Sequence, residues 1–260
     1  MQVKEKYCQT ILTRSKICNY CINPYTGCEH ACIYCYARFI GKYAGKSLDE
    51  WGKFVFVKKN AREILKKDLS KAKNGSVLIG SVCDPYQPLE TKCKITKSCL
   101  NSLARSNKKF DISIQTKSIL ILRDLELIKK LKAEVGFTII CDDFLSKELE
   151  PKADLPSERI KALKKLHERG IKTYVFVGPI IPKITDTIKI IQDTSSFTDF
   201  YYFDRLNFRA GVYDAIKKFV FKHNLQQELD AQQLIAFYKK EKEKIQEYCE
   251  KNKIKNTILF

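Results

Sequence analysis

The sequence predicts an α/β fold, a partial (β/α)6 TIM-type barrel with a cysteine-rich N-terminal segment and a C-terminal helical extension. Three observations carry this expectation. Short runs rich in β-branched and aromatic residues alternate with segments of helical periodicity. The content and length of these runs suit strands buried on both faces. The spacing between them suits right-handed βαβ crossovers within a parallel sheet. Strands are expected at 76–82, 110–116, 135–141, 172–178 and 198–203, after a first strand near 21–25. Helices are expected between them at 61–72, 96–106, 122–132, 157–168 and 185–192. Ser157 is placed to cap one helix, and Gly170 to end it in a left-handed turn. Asp124 falls in a first helical turn, where its charge suits the helix dipole. Six βα units fall short of the eight that close a barrel. Residues 226–253 supply the C-terminal helix, which divides the chain into 1–22, 23–210 and 211–260.

With 260 residues, 44% of them hydrophobic and 30% charged, the chain can bury a sizeable core. The start, MQVKEKYCQT, has no apolar stretch behind its lysines and does not read as a signal peptide. The longest apolar region, 174–182, is interrupted by Gly178 and Pro179 and reads as a buried strand and a turn, not a membrane span. A cytoplasmic protein without a membrane partner is therefore expected. Eleven cysteines in such a chain point to metal binding or redox chemistry more than to disulfides. Six of them, Cys8, Cys18, Cys21, Cys28, Cys32 and Cys35, crowd into the first 35 residues. The formal charge of +18 favours polyanions, although much of it is scattered along helices.

The central constellation is Cys28-Glu-His-Ala-Cys32-Ile-Tyr-Cys35. Gaps of three and two residues let three thiolates wrap one corner of an iron–sulfur cubane and leave one iron without a protein ligand. Zinc more often takes four ligands in paired Cys-x2-Cys units. Gly27 gives the loop backbone freedom at its entry. By the barrel rule, candidate site residues stand where strands end. These are Ser81, Cys83 and Asp84, then Thr116 and Lys117, then Cys141 and Asp142, with Gly178, Asn207 and Arg209 beyond.

Cys-x3-Cys-x2-Cys with Tyr34 before the last cysteine resembles the radical S-adenosylmethionine signature. More narrowly, Asn23-Pro-Tyr-Thr-Gly-Cys28 through Cys35-Tyr-Ala-Arg38 is similar to the spore-photoproduct-lyase-like branch. Ser81-Val-Cys-Asp-Pro-Tyr-Gln-Pro-Leu-Glu90, Thr116-Lys-Ser118, Leu122-Arg-Asp124, Leu149-Glu-Pro151 and Gly178-Pro-Ile-Ile-Pro182 follow in order. The likeness covers residues 10–210.

The resemblance implies an enzyme with a 4Fe–4S cluster on Cys28, Cys32 and Cys35 that cleaves S-adenosylmethionine reductively. The resulting 5′-deoxyadenosyl radical would abstract hydrogen from a substrate, with ferredoxin or flavodoxin as electron donor. It further implies cofactor contacts from Tyr34, Ser81, Asp84, Thr116, Lys117 and Asp142, and it offers Cys83 as a hydrogen-atom donor. Inert packing is the alternative for Cys83, and an ordinary loop position the alternative for His30. Cys8, Cys18 and Cys21 are candidates for a second iron–sulfur cluster or zinc, with Cys93 or Cys99 as fourth ligand, against spare thiols in a reducing cell. DNA or RNA is the expected substrate class. A peptide or small metabolite, and a non-enzymatic iron–sulfur electron carrier, are the alternatives.

Overall fold

The computed structural model describes residues 1–208, 211–225 and 230–260. Strand β1 (Gln2–Lys6) is followed by β2 (Leu12–Arg14), β3 (Tyr20–Ile22), β4 (Tyr25–Thr26) and β5 (Phe54–Lys58). Helices and strands then alternate: α1 (Ala61–Lys71), β6 (Gly75–Ile79), α2 (Glu90–Cys93), α3 (Ile95–Ala104) and β7 (Phe110–Thr116). Next come α4 (Leu125–Leu131), β8 (Glu134–Thr138), α5 (Asp143–Leu149), α6 (Pro156–Glu168) and β9 (Thr173–Ile180). Helix α7 (Thr187–Thr194) leads to β10 (Phe200–Arg205), and α8 (Val212–Lys222) and α9 (Ala231–Lys251) precede β11 (Asn256–Ile258).

Strands β3, β6, β7, β8, β9 and β10 lie side by side in chain order, and every pairing among them is parallel. This is the expected six-unit partial barrel. Its interior is made of side chains such as Ile22, Ile79, Ile114, Phe137, Val177 and Phe203, all fully buried. The edges are finished by strands that the apolar pattern did not announce. Antiparallel β2 joins β3, and β11 joins β10 in parallel. A second, three-stranded sheet of order β1-β5-β4 stands beside the first.

Residues 1–22 therefore do not stand apart as a segment: they supply one strand to the small sheet and two to the large one. The C-terminal part is likewise more than helical, because its last strand returns to the barrel edge. The expected helix 226–253 begins among residues outside the described ones, as does Arg209. Among the described residues, no helix is long and apolar enough to cross a membrane.

Local signals were used only in part as expected. Gly170 lies at φ +73° and ends α6 in a left-handed turn. Ser157 does not cap that helix: its N–H and hydroxyl both donate to Asp143, at 2.9 and 2.6 Å. Leu155 holds the cap position instead, and Pro156 opens the helix with the backbone angle a first turn needs. Asp124 sits at the cap position of α4 but is 2% exposed and ion-paired to Arg123 at 2.7 Å. Its carboxylate serves a buried pair more than the helix dipole.

Candidate active site

The cysteine loop leaves β3 and β4 at the end of the barrel where the parallel strands terminate. Two tight backbone points shape it. Gly27 lies at φ +92°, and a Cβ there would overlap the carbonyl oxygen of Phe54, so only glycine fits. Ala31 also turns left-handed, at φ +56°, and its methyl group occupies the space a Cβ on Gly52 would need. The loop thus folds back on itself between Cys28 and Cys32. Trp51, Phe54 and Phe56 of the small sheet and its approach pack against Cys28. The sheet missed in the sequence is the floor of the loop.

Cys28 and Cys32 are buried and Cys35 is half-buried. Burial pushes all three thiols upward: Cys28 well above the usual range, with Asp84 adding to the effect, and Cys32 to about 12. Lys117 works in the opposite direction on Cys32 and on Cys35. Cys32 and Cys35 also raise Cys28, and Cys35 raises Cys32, as neighbouring anions do.

The loop is held by three buried latches. Glu29 accepts from the Leu89 N–H, while its own N–H donates to Gln87 Oε1 at 2.8 Å. Gln87 donates back to the Gly27 carbonyl. On the other side, the Tyr34 hydroxyl donates to Glu150, which also pairs with Arg159. Arg159 is fully buried and donates to the Thr138 and Asp154 carbonyls at 2.9 and 2.6 Å. Burial alone would raise the Glu150 carboxyl; Arg159, Lys117 and the Tyr34 hydrogen bond outweigh it and hold the carboxyl low. The Ile33 N–H reaches the Leu149 carbonyl at 2.9 Å.

Asp84 forms the third latch. Its Oδ1 accepts from the Tyr86 N–H at 2.8 Å and from the Thr116 hydroxyl at 2.7 Å. Its Oδ2 accepts from the Lys117 N–H at 2.7 Å. His30 Nδ1 stands 3.3 Å from Oδ2, within ion-pair distance but out of hydrogen-bond alignment. Burial would raise this carboxyl too, but His30, the Thr116 hydroxyl and Lys117 prevail and hold it at about 2. A carboxylate has about four acceptor positions, and these contacts use nearly all of them. Asp84 therefore ties the cysteine loop to the ends of β6 and β7. Thr116 is committed to the same hub.

The other expected residues separate. Asn23 accepts from the Val82 N–H at 2.9 Å and donates to Ser81 Oγ at 2.9 Å. Ser81 thereby keeps its hydroxyl hydrogen free. Lys117 is half-buried beside the Tyr34 ring, 5.8 Å from its centre. Burial would lower its pKa, but Cys32, Glu150 and Asp84 raise it, so it stays a cation. Asp142 is exposed and caps α5, accepting from the Leu145 N–H at 2.9 Å. This accounts for an acid at a strand end without any ligand.

Cys83 turns into a small apolar cluster with Tyr25, Val55 and Val57. Burial raises its thiol to about 12, and a substrate could meet its Sγ only if that cluster opened. Cys18 and Cys21 come together, Sγ to Sγ 3.7 Å, whereas Cys8 binds Asn60. Sequence reasoning gave no role to Asn23, Gln87, Glu150 or Arg159. Asn23, Gln87 and Glu150 lie inside the quoted motifs, which was the available signal; Arg159 had none.

A partial parallel barrel with three thiols from one loop at its mouth defines a class of cluster-binding enzymes. The donor set fits the group. Each thiol is raised by burial, and the positive charge of a bound cluster would favour its ionised form. Among the described residues, no three His, Cys, Asp or Glu side chains converge as ligands of a single ion would. A cubane takes each thiolate on a separate iron, and three thiols on one loop, near enough for Cys32 and Cys35 to act on Cys28, suit it.

Comparison with known proteins agrees. The radical SAM superfamily matches over residues 18–193, and the chain belongs to that superfamily. It is 42% identical over 212 residues to an uncharacterised protein of Methanocaldococcus jannaschii, covering 80% of this chain and 75% of that one. An uncharacterised protein of Mycobacterium tuberculosis is 30% identical over 179 residues, 65% of this chain and 51% of its own. The chain thus spans about half the length of that relative. The fold is shared with spore photoproduct lyase at a TM-score of 0.64 and 16% identity, over 83% of this chain and 65% of that one. Another spore photoproduct lyase structure contains AdoMet and dinucleoside spore photoproduct, at a TM-score of 0.62 and 16% identity. The chain is a radical SAM enzyme, and the family implies a 4Fe–4S cluster and S-adenosylmethionine.

Proposed function

We propose that the enzyme acts on a nucleic acid, repairing DNA or modifying a base, with Cys28, Cys32 and Cys35 holding the cluster. The observation that supports the chemistry is the gathering of three buried thiols on one latched loop at the barrel mouth. The cluster and S-adenosylmethionine supply one-electron reductive cleavage of a sulfonium when bound.

The chain's own residues do the rest. Glu150 and Arg159 fix Tyr34, and so set the height of the loop between Cys32 and Cys35. Asp84 holds the Lys117 backbone and leaves the ammonium of Lys117 to meet an anionic group of the cofactor. The Ser81 hydroxyl, with its hydrogen free, is the second polar contact. The Trp51, Phe54 and Phe56 floor keeps water from one side of the loop.

The nucleic-acid reading is supported by the +18 charge and by the dinucleoside bound in a structure of the same fold. Protein reconstituted with iron and sulfide without oxygen, then reduced with S-adenosylmethionine, is expected to form 5′-deoxyadenosine, at a rate that DNA or RNA oligonucleotides change. Absence of 5′-deoxyadenosine overturns the radical chemistry. A rate indifferent to every oligonucleotide overturns the nucleic-acid substrate.

A further inference from the structure

A cleft of about 370 Å³ runs between α1 and α3 on the helical layer, outside the site described above. Its charged lining is of one sign: Arg62 and Lys66 from α1, and Arg105 and Lys108 from the end of α3 and the loop beyond. Asn101 and Asn107 add polar groups, and the lining holds no Asp or Glu and no aromatic ring. Among the described residues, none of the four cations has an ion pair or side-chain hydrogen bond. Some cations elsewhere are paired, as Lys59 is with Glu5 and Lys222 with Glu148; what marks the groove is four cations gathered on one cleft with no carboxylate among them.

Helix geometry produces the row. Arg62 and Lys66 stand four residues apart and so share a face, as do Asn101 and Arg105. The helix dipole explains a cation at Arg105, which closes α3 at its C-terminus. It does not explain Arg62, which lies in the first turn of α1, where a cation is disfavoured. Two like charges on one turn of α1 disfavour each other as well. The arrangement costs a little stability within the protein, which an anion bound there would offset.

The geometry points to the phosphate backbone of a nucleic acid as that anion, and this inference rests on the nucleic-acid reading above. The cations form an open strip and not a closed cup, which suits a chain of phosphates better than a single one. Helix α1 crosses over from β3 to β6, so Arg62 lies toward the strand ends that carry the cysteine loop. Lys108 lies at the opposite end, before β7. From Arg62 to Ser70 the helix rises about 12 Å. A strand engaged at the barrel mouth could thus continue along the groove. With its four cations on an open strip, the groove would chiefly contact phosphates and position the strand.

The test is binding of a labelled DNA duplex to the full chain over a series of salt concentrations, read by fluorescence anisotropy. The variant carries Arg62→Gln, Lys66→Gln, Arg105→Gln and Lys108→Gln together. Losing up to four phosphate contacts should flatten the plot of log affinity against log salt by about 3 to 4 in slope, at about 0.9 per contact. 5′-Deoxyadenosine formation without nucleic acid should be unchanged, which shows an intact active site. Should the fourfold variant fold poorly, Lys66→Glu and Arg105→Glu singly should each weaken duplex binding at low salt and leave the melting temperature in place.

An unchanged slope in a variant whose 5′-deoxyadenosine formation still responds to nucleic acid overturns the groove alone. A wild-type chain that binds no nucleic acid overturns both the groove and the substrate reading. Displacement of the duplex by low millimolar inorganic phosphate overturns the backbone reading in favour of a small-anion site.

Discussion

Two groups of cysteines lie close together in the sequence and end in different surroundings. Cys28, Cys32 and Cys35 occupy a loop that buried partners grip from three sides: Gln87, the Glu150–Arg159 pair and Asp84. Cys18 and Cys21 sit where β3 meets the sheet edge, with the Cys18 thiol donating to the Tyr20 carbonyl at 2.8 Å. Cys8 is spent on Asn60. The difference teaches that thiol spacing alone does not make a site. What sets the loop apart is its enclosure, with Lys117 beside Cys32 and Cys35 and buried latches on either side.

The sharpest way to break this contrast is to remove one thiol from the enclosed group. Cys28→Ala should reduce bound iron from about four per chain to near none, and 5′-deoxyadenosine to background. Iron analysis and product chromatography read both. Retention of a full cluster would sink the assignment.

Next in size is the latch behind Tyr34. Arg159→Met leaves Glu150 as an unpaired buried charge, which costs about 3–5 kcal/mol. At about 2–4 °C per kcal/mol the melting temperature should fall by roughly 10 °C. Pairing it with Glu150→Leu should recover much of the loss. A single variant that melts like wild type would show that the latch carries no load.

Asp84 gives a smaller, pH-dependent effect. Its folded pKa of about 2 lies below the ordinary 3.8, so its ionised form is favoured by folding. That contribution, about 2 kcal/mol, is complete above the unfolded value and is lost as pH falls from about 4 to 2. Denaturation of Asp84→Asn over this range should be flatter by that amount than the wild type. Parallel curves would mean that the Asp84 hub adds nothing.

The smallest expected effect is at the other cysteine group. Cys18→Ser should change stability by no more than about 0.5 kcal/mol and leave iron per chain unaltered. A drop in iron would erase the contrast and place a second metal there.

The barrel was legible because each of its longer strands is a run that carries β-branched or aromatic residues and alternates with a helical segment. Strand Phe110–Thr116 was read to the residue. Strands β1, β2, β4 and β11 carry no such run: β1 is exposed along its whole length and pairs only because β5 lies alongside it. Phe54–Lys58 had the pattern but fell between a cysteine loop and a helix, outside the alternation that guided the reading. In the site, the three thiols of one loop were visible from spacing. The roles of Asp84 and Cys83 were not, because a carboxylate or thiol at a strand end reads the same whether it faces a ligand or a neighbouring loop. The three hydrogen bonds of Asp84 come from Tyr86, Thr116 and Lys117, two of them more than thirty residues away.

The amino-acid sequence by itself determined the alternation of strands and helices, the three thiols on one loop and the excess of positive charge, since these depend on residues near one another in the chain. Only the tertiary structure decided which polar groups are consumed by the protein and which remain for a ligand. Hydrogen-bond capacity is allotted in space, among groups that the chain brings together from far apart, and no local pattern records that allotment.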